Sequence, residues 1–150
     1  MNVLIGLLIL SAFLQTSFLG INIVLLIIVV RSFIVESTAN YYLALFAGIL
    51  LGLLSVQNLG FWPFIFLLTV KIAHLLRRMP FNIGILTALP AIVIAISITV
   101  LSEYFFLKQT PNHIKIIAEL ITSIPIFIII RFWEERFIIH PSTVKLKLRK

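Results

Sequence analysis

The ionisable side chains of this chain are few, and their spacing limits the chemistry open to them. Five glutamates, Glu36, Glu103, Glu119, Glu134 and Glu135, make up all of the acids. The neighbours Glu134 and Glu135 suggest the acid pair of an intramembrane protease. On a helix, however, consecutive side chains diverge by about 100° and cannot converge on one water or metal ion. The pair therefore reads as an interfacial charge patch. Lys115 and Glu119 are four residues apart, the spacing of an ion pair along one helix face. Glu103 falls close to the same outer surface, so Lys115, Glu119 and Glu103 form a candidate polar cluster. His74 follows Lys71 by one turn, which would suit a proton relay, and Arg31 stands about a turn inside an apolar run. Both Arg31 and Lys71 lie near the ends of their runs, where long side chains can snorkel to lipid headgroups, and anchoring is preferred to the alternative reading, a functional ion pair.

Motifs that assemble reaction chemistry are missing from the sequence. It holds no Gly-x-Ser-x-Gly elbow, no His-Glu-x-x-His, no acidic metal box and no glycine-rich phosphate loop, so the chain is read as a non-enzyme without a cofactor or catalytic metal. Cysteine is absent, which removes disulfides, thiolate metal sites and cysteine nucleophiles together.

The elements that carry these residues are apolar runs. Hydrophobic residues make up 61% and charged residues 11% of the chain, where a soluble domain carries about 25% charged. Such a surface is solvated by lipid, so the chain is expected to be an all-α, multi-pass membrane protein. Residues 1–35 would form a helix about 52 Å long at 1.5 Å per residue, too long for a hydrocarbon core of about 30 Å. The break Gln15-Thr16-Ser17 and the following Gly20-Ile21-Asn22 supply turn chemistry, dividing the run into two short spans, 1–15 and 18–35. Further spans are predicted at 41–56, 61–76, 81–107 and 114–130. Gln57-Asn58-Leu59-Gly60 turns between the third and fourth. Arg77-Arg78-Met79-Pro80 closes the fourth, and Pro90 kinks the fifth. After the sixth, residues 131–137 read as an interfacial turn, and residues 140–150 as a basic cytoplasmic tail. The N-terminal run lacks a basic leader and a small-residue cleavage pattern, and is expected to be retained as a span.

Twelve Lys and Arg against five Glu give a formal charge of +7. The basic residues gather at span ends, which points to membrane lipid and not to nucleic acid as partner. A six-span bundle with N and C termini cytoplasmic puts Arg31, Lys71, Arg77, Arg78, Arg131, Arg136, Lys145, Lys147, Arg149 and Lys150 on the inner side, and leaves Lys108 and Lys115 outside. That asymmetry obeys the positive-inside rule, and five or seven spans would scatter it. Arg77, Arg78, Lys145, Lys147, Arg149 and Lys150 are then candidates for contact with the membrane surface or a cytoplasmic partner. In the third span Ala44, Gly48 and Gly52 recur every four residues, giving a face without bulk on which a helix of the same bundle, or of a partner, can pack closely.

Several of these segments resemble the MreD family of rod-shape-determining membrane proteins. The first span ends in Phe13-Leu14-Gln15-Thr16-Ser17-Phe18-Leu19, with Asn22 opening the second run, similar to the start of that family, and Gly20-Ile21 stands where the family often has proline. Phe46-Ala47-Gly48-Ile49-Leu50-Leu51-Gly52-Leu53-Leu54 is similar to its glycine-spaced third helix, and Ser123-Ile124-Pro125 followed by Arg131 to its sixth span. Ser55-Val56-Gln57 occupies the region where the family commonly has an aspartate. The resemblance implies a non-catalytic scaffold of the bacterial cytoplasmic membrane, working with MreC and through it MreB, RodA and a class B penicillin-binding transpeptidase in lateral peptidoglycan synthesis. A second reading is the substrate-binding membrane subunit of an energy-coupling-factor vitamin transporter, in which Asn58, Trp62, Glu103 and Glu119 would line an outer pocket.

Overall fold

The computed structural model describes residues 2–19, 21–55, 60–78, 84–108, 110 and 112–137. Regular structure among them is entirely helical: α1 (Asn2–Leu14), a π-helical turn (Gln15–Leu19), α2 (Ile23–Ile34), α3 (Ala39–Leu54), α4 (Phe61–Arg77), α5 (Ile85–Leu107) and α6 (His113–Phe137). The helices fall on the predicted apolar runs. By length and composition two stretches qualify as membrane-crossing, Ile85–Phe106 and His113–Glu134. The basic tail, most of the turn after α3 and residues 79–83 lie outside the described residues.

Two expected boundaries move. The helical path of α1 runs on through Gln15–Leu19 as a π-helical turn instead of breaking at Gln15. Thr16 donates its hydroxyl back to the carbonyls of Ala12 and Phe13, so the polar residue serves the helix it was expected to end. Likewise, α6 stays helical through residues 131–137 and reaches Phe137.

Burial patterns explain the packing. On α3 the buried residues are Asn40, Leu43, Ala44, Ala47, Gly48, Leu51 and Gly52. On α4 they are Trp62, Ile65, Phe66, Thr69, Val70, Ala73 and His74. Each set repeats at three and four residues and forms one stripe along its helix. These two stripes meet in the most extensive helix pair of the fold. On α2 every residue from Val24 to Ile34 is buried, as befits a helix surrounded by neighbours. It contacts α1, α3, α4, α5 and α6.

Local chemistry sets several helix ends. Asn112 Oδ1 accepts the Ile114 N–H at 3.0 Å and caps α6. Thr87 Oγ1 accepts the Gly84 N–H at 2.9 Å at the start of α5. At the other end of α5, Lys108 takes a left-handed conformation (φ 52°) and its N–H bonds to the Glu103 carbonyl, a helix-terminating geometry usually left to glycine.

Candidate functional site

Buried polar residues gather at the two ends of α2. At its N-terminal end the amide of Gln15 bridges α1 and α2. Gln15 Oε1 accepts the Val24 N–H at 3.2 Å, and Gln15 Nε2 donates to Asn22 Oδ1 at 2.9 Å. The Asn22 N–H in turn donates to Glu119 Oε1 of α6 at 3.0 Å. The chain of donors fixes every orientation: Val24 requires the oxygen of Gln15, which turns its nitrogen to Asn22 and claims the oxygen there. Asn22 therefore has only N–H groups left to offer Glu119. The carboxyl of Glu119 is fully buried, with Oε2 unpartnered, as is Asn22 Nδ2. The positive end of the α2 dipole favours an anion here by at most about 2 kcal/mol. Burying an ion without a counter-ion costs several kcal/mol.

At the C-terminal end of α2, Arg31 Nε donates to Glu134 Oε1 of α6 at 2.8 Å, and Arg31 Nη1 donates to Asn40 Oδ1 of α3. Asn40 Nδ2 donates to the Val35 carbonyl at 2.7 Å and lies 3.3 Å from His74 Nε2 of α4. Since the Asn40 oxygen is held by Arg31, its nitrogen faces the imidazole and His74 Nε2 is the acceptor, which places the ring proton on Nδ1. Tyr41 packs edge-on against the same ring. One arginine thus joins α2, α3 and α6, and through Asn40 also α4.

This cluster corrects two readings of the sequence. Arg31 does not snorkel: it is 7% exposed on a helix buried from Val24 to Ile34, and its guanidinium is turned to Glu134. Glu134 is not part of an interfacial patch, being 1% exposed and ion-paired with Arg31. Lys71 is exposed on α4 while His74 turns inward to Asn40, so the two do not share a path for a proton.

The cluster of Lys115, Glu119 and Glu103 is assembled differently from its expected pairing. Lys115 Nζ binds both oxygens of Glu103 on α5, at 2.8 and 2.9 Å, and not Glu119 on its own helix. The cross-helix carboxylate offers a bidentate contact that the i,i+4 neighbour, engaged by Asn22, does not. Glu119 faces α2 instead, on a stripe of α6 that runs Glu119, Ser123, Phe127, Ile130, Glu134 and begins and ends on a buried acid.

Ala44, Gly48 and Gly52 are buried. A methyl group built on Gly48 would stand 2.4 Å from Pro63 Cα and 2.5 Å from Pro63 N. The small-residue face is thus occupied by α4 of the same chain. Proline suits the meeting point, because in the first turn of a helix it forfeits no hydrogen bond and brings no N–H into the contact. Arg78 is exposed and pairs with Glu36 at 2.8 Å. Arg77 is half-buried, with Nη1 enclosed and unpartnered. Lys145, Lys147, Arg149 and Lys150 lie outside the described residues.

For the transporter-like reading, Trp62 is 5% exposed within the core, Glu103 is spent on Lys115, Glu119 is sealed against α2, and Asn58 lies outside the described residues. A groove between α5 and α6, about 370 Å³, is lined by Ile85, Phe127, Ile128, Arg131 and Phe132. Another, of about 50 Å³ between α1, α2 and α6, is lined by Leu4, Leu7, Ile27, Ile129, Ile130 and Trp133. Both suit hydrocarbon better than a polar solute. Among the described residues no group of three histidine or acidic side chains converges as a metal site.

The residues missed by sequence reasoning are Gln15, Asn22 and Asn40 as links between helices. Their signal was available: an amide on the buried stripe of an apolar helix needs a partner within the protein. Comparison with family models, curated proteins and solved structures gives no match for the chain.

Proposed function

We propose that this chain is a six-span protein of the bacterial cytoplasmic membrane with both termini cytoplasmic, acting as a non-catalytic scaffold of the cell-elongation machinery. The observation that carries the reading is the disposition of polar and apolar side chains. Gln15, Asn22, Arg31, Asn40 and Glu134 are spent on tying helices together. The outside carries Leu10, Phe64, Leu86, Phe105, Phe106 and Ile114, each more than 60% exposed. An apolar surface of this extent calls for lipid or protein cover.

The contacts also support the alternation of spans. Asn22 meets Glu119 and Arg31 meets Glu134, so α2 and α6 run parallel. Glu36 after α2 meets Arg78 after α4, which groups the C-terminal ends of α2, α4 and α6 at one face. Arg31, Lys71, Arg77, Arg78, Arg131 and Arg136 all belong to that end, the one the positive-inside rule assigns to the cytoplasm. The opposite end holds Lys115 and Glu103.

The elongation role rests on the resemblance to MreD, and the geometry gives two of its shared features a purpose. Gln15 and Asn22 close the first hairpin, and the glycine-spaced third helix admits the backbone of α4. In this role the chain sits beside MreC and, through it, MreB, RodA and a class B penicillin-binding transpeptidase. Depletion in the native host, with cell shape and the site of new wall insertion imaged together, tests it. Loss of rod shape with dispersed insertion is expected. Unchanged shape with a nutrient-dependent growth defect would overturn the scaffold role.

A further inference from the structure

Four glutamates have described side chains, and three of them meet a cation at 2.8 Å: Glu36 with Arg78, Glu103 with Lys115 and Glu134 with Arg31. Glu119 meets none. It is the most deeply enclosed of the four, at 0% exposure, and one of its oxygens has no partner. The nearest base along its own helix, Lys115, is bound by both oxygens of Glu103. From α2 and the π-helical turn the site is faced by Asn22 and Gln15, which do not titrate. The titratable groups near it are thus Lys115 of α6 and Glu103 of α5, already paired with each other. A carboxylate enclosed in this way, without a counter-ion, is relieved by taking up a positive charge.

We infer that Glu119 is a proton-binding site inside the bundle. A proton from the aqueous phase forms an O–H bond at Oε2, and the neutral acid is held between α2 and α6 while Oε1 keeps the Asn22 N–H. A metal ion suits the site less well, because Asn22 presents N–H groups to it and the Asn22 and Gln15 oxygens are committed elsewhere. Release of the proton leaves an anion one turn from Lys115, which then has two carboxylates to choose between. Occupancy of Glu119 is in this way tied to the ion pair that joins α5 to α6. The inference rests on the chain being embedded in a membrane and is independent of a role in cell elongation.

The test uses the full chain reconstituted in phosphatidylglycerol–phosphatidylethanolamine vesicles, with flotation of the vesicles reporting membrane insertion separately. Dicyclohexylcarbodiimide enters apolar phases and adds to protonated carboxyls. Mapped by peptide mass spectrometry, it is expected to label Glu119 ahead of Glu103 and Glu134, with label lost as pH rises and unaffected by sodium at constant pH. Infrared spectra should hold a protonated-carboxyl band that shifts in deuterium oxide and disappears in Glu119→Gln. Label on Glu103 or Glu134 in place of Glu119, or the absence of such a band at neutral pH, would overturn the inference. So would protection by sodium, which would make the occupant a metal ion. The labelling map and the deuterium shift are read on the unaltered protein, so a variant that fails to fold does not remove the test.

Discussion

Gly48→Ala tests the packing at the centre of the bundle with one methyl group. The added carbon would lie 2.4 Å from Pro63 Cα, 2.5 Å from Pro63 N and 2.9 Å from the Trp62 carbonyl carbon. Carbon atoms pack at about 3.5–4.0 Å, so α3 and α4 must separate by roughly 1 Å at this point. All three obstructing atoms belong to the backbone of α4 and cannot rotate away. Overpacking of a close-fitted core costs about 1–3 kcal/mol. The gain in helix propensity on replacing glycine by alanine offsets up to about 1 kcal/mol of this. The net expectation for Gly48→Ala is a loss of about 0–2 kcal/mol against the parent and of about 1–3 kcal/mol against Gly6→Ala, which gains the same propensity without the clash, and a larger loss for Gly48→Leu. Gly6→Ala is the control, because nothing lies within 4 Å of a methyl group there. Unfolding in mixed micelles, followed by tryptophan fluorescence, reads both variants, since Trp62 lies at the contact. Gly48→Ala as stable as Gly6→Ala would refute the close approach of α3 and α4.

Removing one partner of the Arg31–Glu134 pair leaves a buried charge, so Arg31→Met is expected to cost about 3–5 kcal/mol, and a double-mutant cycle with Glu134→Met should recover much of it; additive single effects would argue against the contact. Gln15→Leu strands the Val24 N–H and the Asn22 carboxamide, at about 1–3 kcal/mol for each group left unsatisfied, so micelle unfolding should register a loss of about 2–6 kcal/mol, larger than that of Gly48→Ala. Glu103→Gln releases Lys115 from its bidentate contact and lets it turn to Glu119; carbodiimide labelling of Glu119 should fall, and unchanged labelling would mean that Lys115 does not reach it. The hydrogen bond from Arg78 holds the Glu36 carboxyl below the usual carboxylate range. With the folded value depressed, its small contribution is present above the ordinary value of about 4.3 and is lost as pH falls through the folded one; Arg78→Ala should move the Glu36 titration upward in carboxyl-carbon NMR, and no movement would discount the pair.

What could be read from the sequence was the run of apolar segments and the breaks between them, since span length and hydropathy depend on residues close together in the chain. Ala44, Gly48 and Gly52 were legible as a packing face for the same reason. Which helix fills that face was not, because periodicity orients a stripe without naming what it meets. Arg31 and Glu134 stand 103 residues apart, and each alone is explained adequately by an interface position. Lys115 illustrates the converse error: a neighbour at i+4 is the best local partner, yet the bundle supplies Glu103 from another helix with better geometry. Gln15 and Asn22 read locally as turn formers because amides favour turns, whereas inside an apolar bundle their hydrogen bonds are worth most across helices.

The two polar clusters matter most for register. In lipid, helices gain little from hydrophobic burial against each other, so packing alone discriminates weakly between one helix offset and the next. Glu119 and Glu134 lie fifteen residues apart on α6, about 22 Å at 1.5 Å per residue, and each is engaged at a different end of α2. Sliding α6 by a single residue rotates both acids by about 100° and breaks both attachments together. Arg31, in the last turn of α2, complements the negative end of that helix's dipole. A parallel pair fastened at both ends cannot be reversed or shifted without stranding a buried polar group. Under the proposed scaffold role, in which the chain presents fixed surfaces, such a restriction on register would be a functional property as much as a structural one.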